Sequence, residues 1–112
     1  MANTYKNSIS TITATGSDEA IYTCPSDATA IINTVFVYNG TGGTADYTIT
    51  VADTSAGSSA NINFKSALAA AATDTVLGSG NVVVLEDSDI LRINTTVQPI
   101  DVTVSVLQIT RA

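Results

Sequence analysis

The densest group of side chains that could do chemistry is the acidic segment Glu86-Asp87-Ser88-Asp89. Hard divalent cations bind several oxygen ligands, so Glu86, Asp87 and Asp89 could hold Ca²⁺ or Mg²⁺. The segment lacks the glycine and the distal glutamate of an EF-hand loop. The alternative is a solvated turn between two strands, in which an aspartate accepts hydrogen bonds from backbone N–H groups. The turn is the preferred interpretation, and no metal-binding residue is predicted.

Cys24 is the only cysteine of the chain, and its thiol would need a base to act as a nucleophile. The chain has no histidine, and no basic residue adjoins Cys24 in sequence. Cys24 directly precedes Pro25 at the end of a candidate strand, where a small half-buried side chain suffices. We therefore expect an inert thiol. A single cysteine also excludes a disulfide within the chain.

The other acidic residues form no recognisable catalytic pair. Asp18 and Glu19 are neighbours, and the rest are scattered among strand ends and loops. General acid–base catalysis needs two carboxylates brought together in a cleft, and no spacing here requires that. The lack of histidine excludes a histidine-dependent catalytic triad and, with one cysteine, the usual zinc sites. We predict no catalytic residue, no cofactor and no enzymatic activity.

Charge and hydropathy exclude two further classes of partner. Lys and Arg total 4 against 10 Asp and Glu, so the net charge is -6 and a nucleic-acid partner is not expected. No apolar run approaches the roughly 18 residues of a membrane span, and the first residues do not resemble a signal peptide. Charged residues make up only 12% of the chain. Such a sparsely charged surface favours a subunit that is buried in a larger assembly.

The elements that must position these residues are predicted to be short β-strands. The 112 residues include 18 Thr, 11 Val and 11 Ile, whose β-branched side chains favour strands. Turns with glycine are expected at residues 40–43, 57 and 78–80. Strands are expected over residues 5–14, 20–23, 28–39, 44–52, 61–65, 75–77, 82–85, 90–94 and 101–110. The alanine-rich segment 66–72 predicts either one helical turn or an irregular crossover.

Residues 28–39 form the strongest candidate strand. Strict alternation gives two apolar faces, one with Ile31, Val35 and Val37 and the other with Ile32, Phe36 and Tyr38. A strand that is apolar on both faces is covered on both. We expect a sheet edge, a loop or another subunit to cover the second face. Replacing Phe36 by Asp is therefore expected to prevent folding or assembly.

The last candidate strand also has apolar residues on both faces. Val102, Val104 and Val106 share one face, whereas Leu107 and Ile109 lie on the other. This change of phase predicts either a β-bulge near Leu107 or an apolar outer face used by a partner.

Eight or nine short strands with nearly regular turns predict an all-β fold. We expect a single-domain antiparallel β-sandwich, jelly-roll-like, that spans residues 1–112. Thr48 and Thr50 alternate with apolar residues, so one sheet is expected to have a Thr-rich outer face that suits water or a flat protein partner. Arg92, inside an alternating strand, is expected either to face solvent or to pair with an acid on a neighbouring strand.

Several segments, in order along most of the chain, carry a resemblance to a known group of proteins. They are MANTYKN (1–7), IYTCP (21–25), ATAII (28–32), VFVYN (35–39), YTITV (47–51) and VLEDSDILRI (84–93). The sequence resembles small structural proteins of tailed bacteriophages, common among phages of marine bacteria and cyanobacteria. Such proteins often carry a small apolar residue where this chain has Cys24, which agrees with an inert thiol. The resemblance implies a virion component without enzymatic activity.

The role that this resemblance favours is that of a capsid decoration (cement) protein, which binds and stabilises the assembled head shell. It implies partners among the major capsid protein or other virion proteins, and a homo-oligomer, with a trimer favoured. It also implies a place on the surface of the phage particle after assembly in the host cytoplasm. One alternative is a neck, tail or fibre-adaptor subunit. Another is a carbohydrate-binding module for host attachment, which would need exposed aromatic platforms or a bound cation, whereas several of the aromatic side chains are expected in the core.

Overall fold

The structure, a computed structural model that describes residues 2–77 and 80–111, confirms the all-β prediction. Residues 78 and 79 of the expected turn at 78–80 lie outside the described residues. The nine strands are β1 (Ala2–Ile12), β2 (Glu19–Thr23), β3 (Ala28–Asn39), β4 (Ala45–Asp53), β5 (Ser58–Leu68), β6 (Thr73–Val76), β7 (Val83–Leu85), β8 (Ile90–Thr95) and β9 (Ile100–Thr110). No helix of the described chain is long and apolar enough to cross a bilayer.

The strands form two sheets in the order of a jelly roll. Sheet A has the order β1-β9-β3-β6, with β7 also paired to β3, and sheet B has the order β2-β8-β4-β5. Each pairing between strands is antiparallel. β6 and β7 together occupy the edge position beside β3, so the nine strands fill the eight positions of two Greek keys. The predicted jelly-roll-like sandwich is confirmed.

The core lies between the inner faces of the two sheets. Its largest fully buried side chains are Tyr47, Ile32, Ile49, Leu85, Leu91, Ile93, Ile100, Val35, Val37, Val102, Val104 and Val106. Each branched side chain buried in this way contributes about 1.5–3 kcal/mol to folding. Side-chain hydrogen bonds also join the sheets, two of them from tyrosines. The Tyr47 hydroxyl donates to Asp74 Oδ2 at 2.6 Å, and the Tyr22 hydroxyl donates to Gln108 Oε1 at 2.8 Å.

β3 is a central strand, as predicted, but its two faces exchange at Asn33. The register against β9 shifts between Ile32 and Thr34, so that Asn33 is the extra residue of a β-bulge. Ile32 is buried before the bulge and Val35 after it. The prediction that grouped Ile31 with Val35 and Val37, and Ile32 with Phe36 and Tyr38, is therefore wrong. It assumed strict alternation, which a single extra residue inverts.

The bulge expected near Leu107 is not in β9. β9 pairs with β1 without interruption from Ile100 to Thr110, and the irregularity lies in the facing strand β3. Val102, Val104 and Val106 point into the core, while Leu107 and Ile109 lie half-buried on the outer face. Of the two predicted alternatives, the apolar outer face is the one that the structure has.

The alanine-rich segment 66–72 contains no helical turn. β5 continues to Leu68, and residues 69–72 form a turn in which the amide of Ala72 donates to the carbonyl of Ala69 at 3.2 Å. The buried Asn39 side chain donates to the carbonyl oxygen of Leu68 at 2.9 Å. This bond takes a backbone acceptor that a helix would use, and a segment of two turns has little helical stability of its own. The irregular crossover is the correct alternative.

Candidate functional site

The acidic segment forms the predicted turn, and its last aspartate holds the backbone of two loops. Asp89 is buried, and its amide donates to the carbonyl of Glu86 at 3.0 Å. Asp89 Oδ2 accepts a hydrogen bond from the amide of Glu86 at 3.0 Å, and Oδ1 accepts one from the amide of Thr54 at 3.2 Å. Both oxygens of this carboxylate are thus engaged by the protein's own backbone.

Asp53, which lies at the end of β4, joins this turn in space. One carboxylate oxygen each from Asp53, Glu86 and Asp89 lies within 4.8 Å of the others. Sequence reasoning missed Asp53 because the loops at this end of the sandwich come from distant parts of the chain. Hydrogen bonds from the amide of Ala56 and the hydroxyl of Ser55 hold the pKa of Asp53 below its usual value. These contacts make the carboxylates of Asp53 and Asp89 part of the hydrogen bonding of the loops, whereas Glu86 contributes its backbone amide.

Asp87, which the sequence analysis considered with Glu86 and Asp89 as a possible cation ligand, points elsewhere. Its carboxylate forms an ion pair with Arg111 at the edge of a shallow cleft of about 360 Å³, which Thr29, Ser55 and Glu86 also line. The hydrogen bond to Asp87 raises the pKa of Arg111. This cleft therefore presents a cation neutralised by an acid, with the exposed Glu86 beside the pair.

Cys24 is buried in the core, and its thiol donates to the carbonyl oxygen of Ala28 at 3.4 Å. Burial raises the pKa of the thiol, and the nearby carboxylates of Asp87 and Asp89 raise it further. Because the thiolate is the nucleophilic form, these effects keep the sulfur protonated and unreactive. The position agrees with the inert thiol expected from the sequence.

The outer face of sheet B is polar, as its threonines predict. Arg92 lies between Ala20 of β2 and Thr50 of β4, and it is partly exposed. Asn94 donates to Asp18 Oδ1 at 3.0 Å on the same face. One large aromatic side chain, Phe64, stands on this face with 66% of its surface exposed. Apart from Phe64, the side chains described on this face are polar and suit contact with water.

The outer face of sheet A differs, because apolar side chains form continuous rows across its strands. Cross-strand pairing places one row of large side chains from β1 to β7: Tyr5, Leu107, Ile31 and Val84. A second row further along the strands contains Ile9, Thr103, Phe36 and Thr75. Between them lies a row of small polar side chains: Asn7, Ser105, Asn33 and Thr34.

The polar row is the floor of a groove between the two apolar rows. A shallow depression of about 340 Å³ opens there, lined by Tyr5, Lys6, Asn7, Asn33, Ser105 and Val106. The β-bulge at Asn33 produces it, because the extra residue bends β3 locally. The outer face of sheet A is thus two apolar ridges separated by a groove.

Six large hydrophobic side chains are exposed on or beside this face among the described residues. They are Tyr5 (81%), Ile9 (71%), Phe36 (40%) and Tyr38 (38%), together with Val84 in β7 and Val82 just before it. Of the six aromatic residues, only Tyr47 is fully buried. The expectation that several aromatic side chains lie in the core is wrong, because the bulge in β3 turns Phe36 and Tyr38 outwards.

The outward positions of sheet A carry one charge. Asp101, at the end of β9, accepts a hydrogen bond from the Thr11 hydroxyl at 2.9 Å. The other outward side chains of β1, β3, β6, β7 and β9 are uncharged within the described residues. Lys6 also lines the groove, and the remaining outward side chains of these strands offer an uncharged, largely apolar contact surface.

Comparison with known proteins identifies relatives of the fold. No protein-family model and no curated protein matches the chain. A solved structure of Bacillus endospore appendages, described as disulfide-linked pili, is similar with a TM-score of 0.58 and 14% identity, covering 98% of this chain and 89% of that one. A chain of infectious bursal disease virus, Gx strain, is similar with a TM-score of 0.51 and 13% identity, covering 98% of this chain and 32% of that one. At these identities the likeness shows a shared β-fold, found in one bacterial appendage and in one virus.

Proposed function

We propose that this chain is a non-enzymatic structural protein of a tailed-phage virion, and more specifically a capsid decoration protein that binds the assembled head shell. The observation that carries the proposal is the neutral, ridged outer face of sheet A on an otherwise acidic jelly roll. Large exposed apolar patches on a soluble domain mark protein interaction sites. The resemblance to phage structural proteins supports the virion, and the fold is one that a virus also uses.

A decoration protein works by binding the assembled state. Its partner is the major capsid protein, and each bound copy stabilises the shell because the ligand binds the lattice and not the free subunits. An oligomer that makes several weak contacts gains avidity without one strong site. The acidic loops remain exposed and keep the particle surface soluble. The protein is then located on the outside of the phage particle after assembly in the host cytoplasm.

Two features of the chain favour this function over others. The carboxylates of Asp53 and Asp89 accept hydrogen bonds from backbone amides, and that of Asp87 pairs with Arg111, so these three acids have roles in the fold. A disulfide-linked fibre needs an accessible thiol in each subunit, whereas Cys24 is buried. Rigid strands and an uncharged face serve attachment to another protein.

Cryo-electron microscopy of particles assembled with the chain tests the proposal. Density for the jelly roll at repeated positions over the head lattice is the expected result. A few copies at the neck or tail, and none on the shell, would replace decoration by the neck, tail or fibre-adaptor role. Absence from purified particles, with the protein present in the lysate, would reject the virion role altogether.

One specific observation favours a second candidate, a carbohydrate-binding module for host attachment. Aromatic side chains are exposed on both outer faces, with Tyr5 and Phe36 on sheet A and Phe64 on sheet B. Such side chains can stack on sugar rings. A glycan array separates the two functions: binding that is lost in Tyr5→Ala or Phe64→Ala would favour attachment, and no signal with or without calcium would dismiss it.

A further inference from the structure

The outer face of sheet A has the size, relief and charge of a surface that meets its own copy. We propose that two copies of this chain associate face to face through the outer faces of their A sheets, around a two-fold axis. The inference concerns the isolated protein and does not depend on the virion role. The dimer covers the face that the proposed function sets against the head shell, so attachment to the shell through this face requires the dimer to dissociate. It differs from the trimer that the sequence resemblance implies.

The first argument is area. β1 and β9 have 11 residues each and β3 has 12. At about 3.3 Å per residue and 4.8 Å between strands, four such positions present a footprint of roughly 700 Å². A stable interface of ordinary size buries about 600–1,000 Å² on each partner. One A sheet set against another therefore supplies an interface of sufficient area with no rearrangement of the fold.

The second argument is relief. The first ridge contains Tyr5 and Ile31, the second contains Ile9 and Phe36, and the groove between them has Ser105 on its floor. A two-fold axis brings the same patch of both copies together, so each contact is made twice. A ridge of one copy can then lie in the groove of the other, and the reverse contact follows by symmetry. Ridges and a groove on one patch are what a self-complementary interface requires.

The third argument is charge. The chain carries a net charge of -6, so two copies repel each other over most approaches. Asp18 and Asp27 lie outside the outward positions of sheet A, and Asp87 reaches the end of this face at Thr29 only in its ion pair with Arg111. Asp101 is at the other end of the face, and a two-fold axis that runs across the strands places the two Asp101 residues at opposite ends. Through this face two copies approach without bringing like charges together.

These arguments also separate a second copy from other occupants. A face-to-face contact between identical patches closes at two copies, because the patch is then used up. A trimer would set this face against a different surface of the next copy. Sheet B, with Arg92 and its hydrogen-bonded polar side chains, stays on the outside of the dimer.

The test is the solution mass of the full chain, measured by light scattering and by sedimentation over a range of concentrations. The expected mass is twice the 11.5 kDa of one chain. Tyr5→Asp and Ile9→Asp place a charge on each ridge at strongly exposed positions, so both variants should fold. The dimer dissociation constant should rise at least tenfold in each. Phe64→Asp, an equally exposed site on sheet B, is the matched control and should remain a dimer.

Circular dichroism and urea denaturation verify that the variants are folded. A trimeric or monomeric wild-type protein would overturn the inference. So would dissociation by Phe64→Asp with no effect of Tyr5→Asp or Ile9→Asp, which would move the interface to sheet B. The dimerisation inference and the virion function can fail separately. If the wild-type chain is a dimer that the sheet A variants disrupt, but the chain is absent from purified phage particles, this inference stands and the virion function is rejected.

Discussion

The outer faces of the two sheets are built on similar strands but carry different side chains. Sheet B has polar side chains at its outward positions, with Thr48, Asn94 and Arg92 partly exposed. Thr50 among them is buried and donates to Asn61 of β5, and Asn94 donates to Asp18 in the loop before β2. Sheet A presents Tyr5, Ile9 and Phe36 instead. Both sheets supply inner faces to one core. The difference teaches that water suffices as the neighbour of sheet B, and the proposal of a protein neighbour for sheet A rests on it.

The largest effect on folding stability is expected from aspartate substitutions in one strand of sheet A, where neighbouring residues have opposite environments. Val104 is fully buried, and Thr103 lies on the outer face. Val104→Asp places an unpaired charge in the core and should cost more than about 4 kcal/mol, enough to prevent folding. Thr103→Asp should fold. Far-ultraviolet circular dichroism and urea denaturation check both, and a cooperatively folded Val104→Asp protein would contradict the assigned faces.

A smaller effect on folding stability is expected when an asparagine is replaced by alanine, and its size should differ between one asparagine of each sheet. Asn39 at the end of β3 is buried, donates to the carbonyls of Gly43 and Leu68, and accepts from Thr41. Asn39→Ala leaves these backbone groups unpaired and should lower the free energy of unfolding by about 2–4 kcal/mol. Asn94→Ala on the outer face of sheet B removes one exposed hydrogen bond. Equal losses in urea denaturation for the two variants would show that Asn39 does not hold the crossover.

Ionisable side chains in the core between the two faces should make the free energy of unfolding fall at alkaline pH. Burial raises the pKa of Tyr47, and its hydrogen bond to Asp74 raises it further. Burial also raises the pKa of Tyr22 and of Cys24. The unfolded chain therefore loses these protons at lower pH than the folded chain. Stability is highest below the ordinary pKa of each group, about 8.5 for Cys and 10 for Tyr, and falls as pH rises above it.

Thermal denaturation between pH 7 and pH 11 measures this dependence. Tyr47→Phe should be less stable near neutral pH by about 1 kcal/mol, since it loses a hydrogen bond. Its stability should also fall less steeply at high pH, because the titrating hydroxyl is absent. A variant with the same slope as the wild-type protein would show that Tyr47 does not contribute to the alkaline loss.

The smallest effect on folding is expected from placing a lysine on each outer face. The two variants should differ in self-association and not in stability. Thr103→Lys lies on the second ridge of sheet A, and Thr48→Lys lies on sheet B. Each should change the free energy of unfolding by no more than about 0.5 kcal/mol. Only Thr103→Lys should weaken self-association in sedimentation experiments. Equal effects of the two lysines would remove the distinction between the faces.

These expectations correct one drawn from the sequence. The sequence predicts that Phe36 lies on a covered face of β3, where an aspartate prevents folding or assembly. The side chain is 40% exposed, so Phe36→Asp should fold, and of the two outcomes only the loss of assembly is expected. The sequence shows that both faces of residues 28–39 are apolar, but it does not show which face is inside, because the bulge at Asn33 has no sequence signature of its own.

For the acidic turn, too, the sequence predicts the local structure but not the contacts with distant residues. A turn at residues 86–89 follows from its composition, and Asp89 caps the backbone as a turn aspartate does. The contribution of Asp53 to the same cluster, and the ion pair that takes Asp87 away from it, depend on loops that are far apart along the chain. No local pattern predicts which distant loops meet.

The sequence alone determined the class of fold, the central position of β3 and the lack of a histidine-based site, because β-branched composition, alternation and residue types act locally. The tertiary structure decided which apolar side chains enter the core, where the bulge lies and how Tyr5, Leu107, Ile31 and Val84 line up across four strands. Register is the physical reason. It is set by pairing between strands that are distant in sequence, and a shift of one residue exchanges the inside and the outside of a sheet.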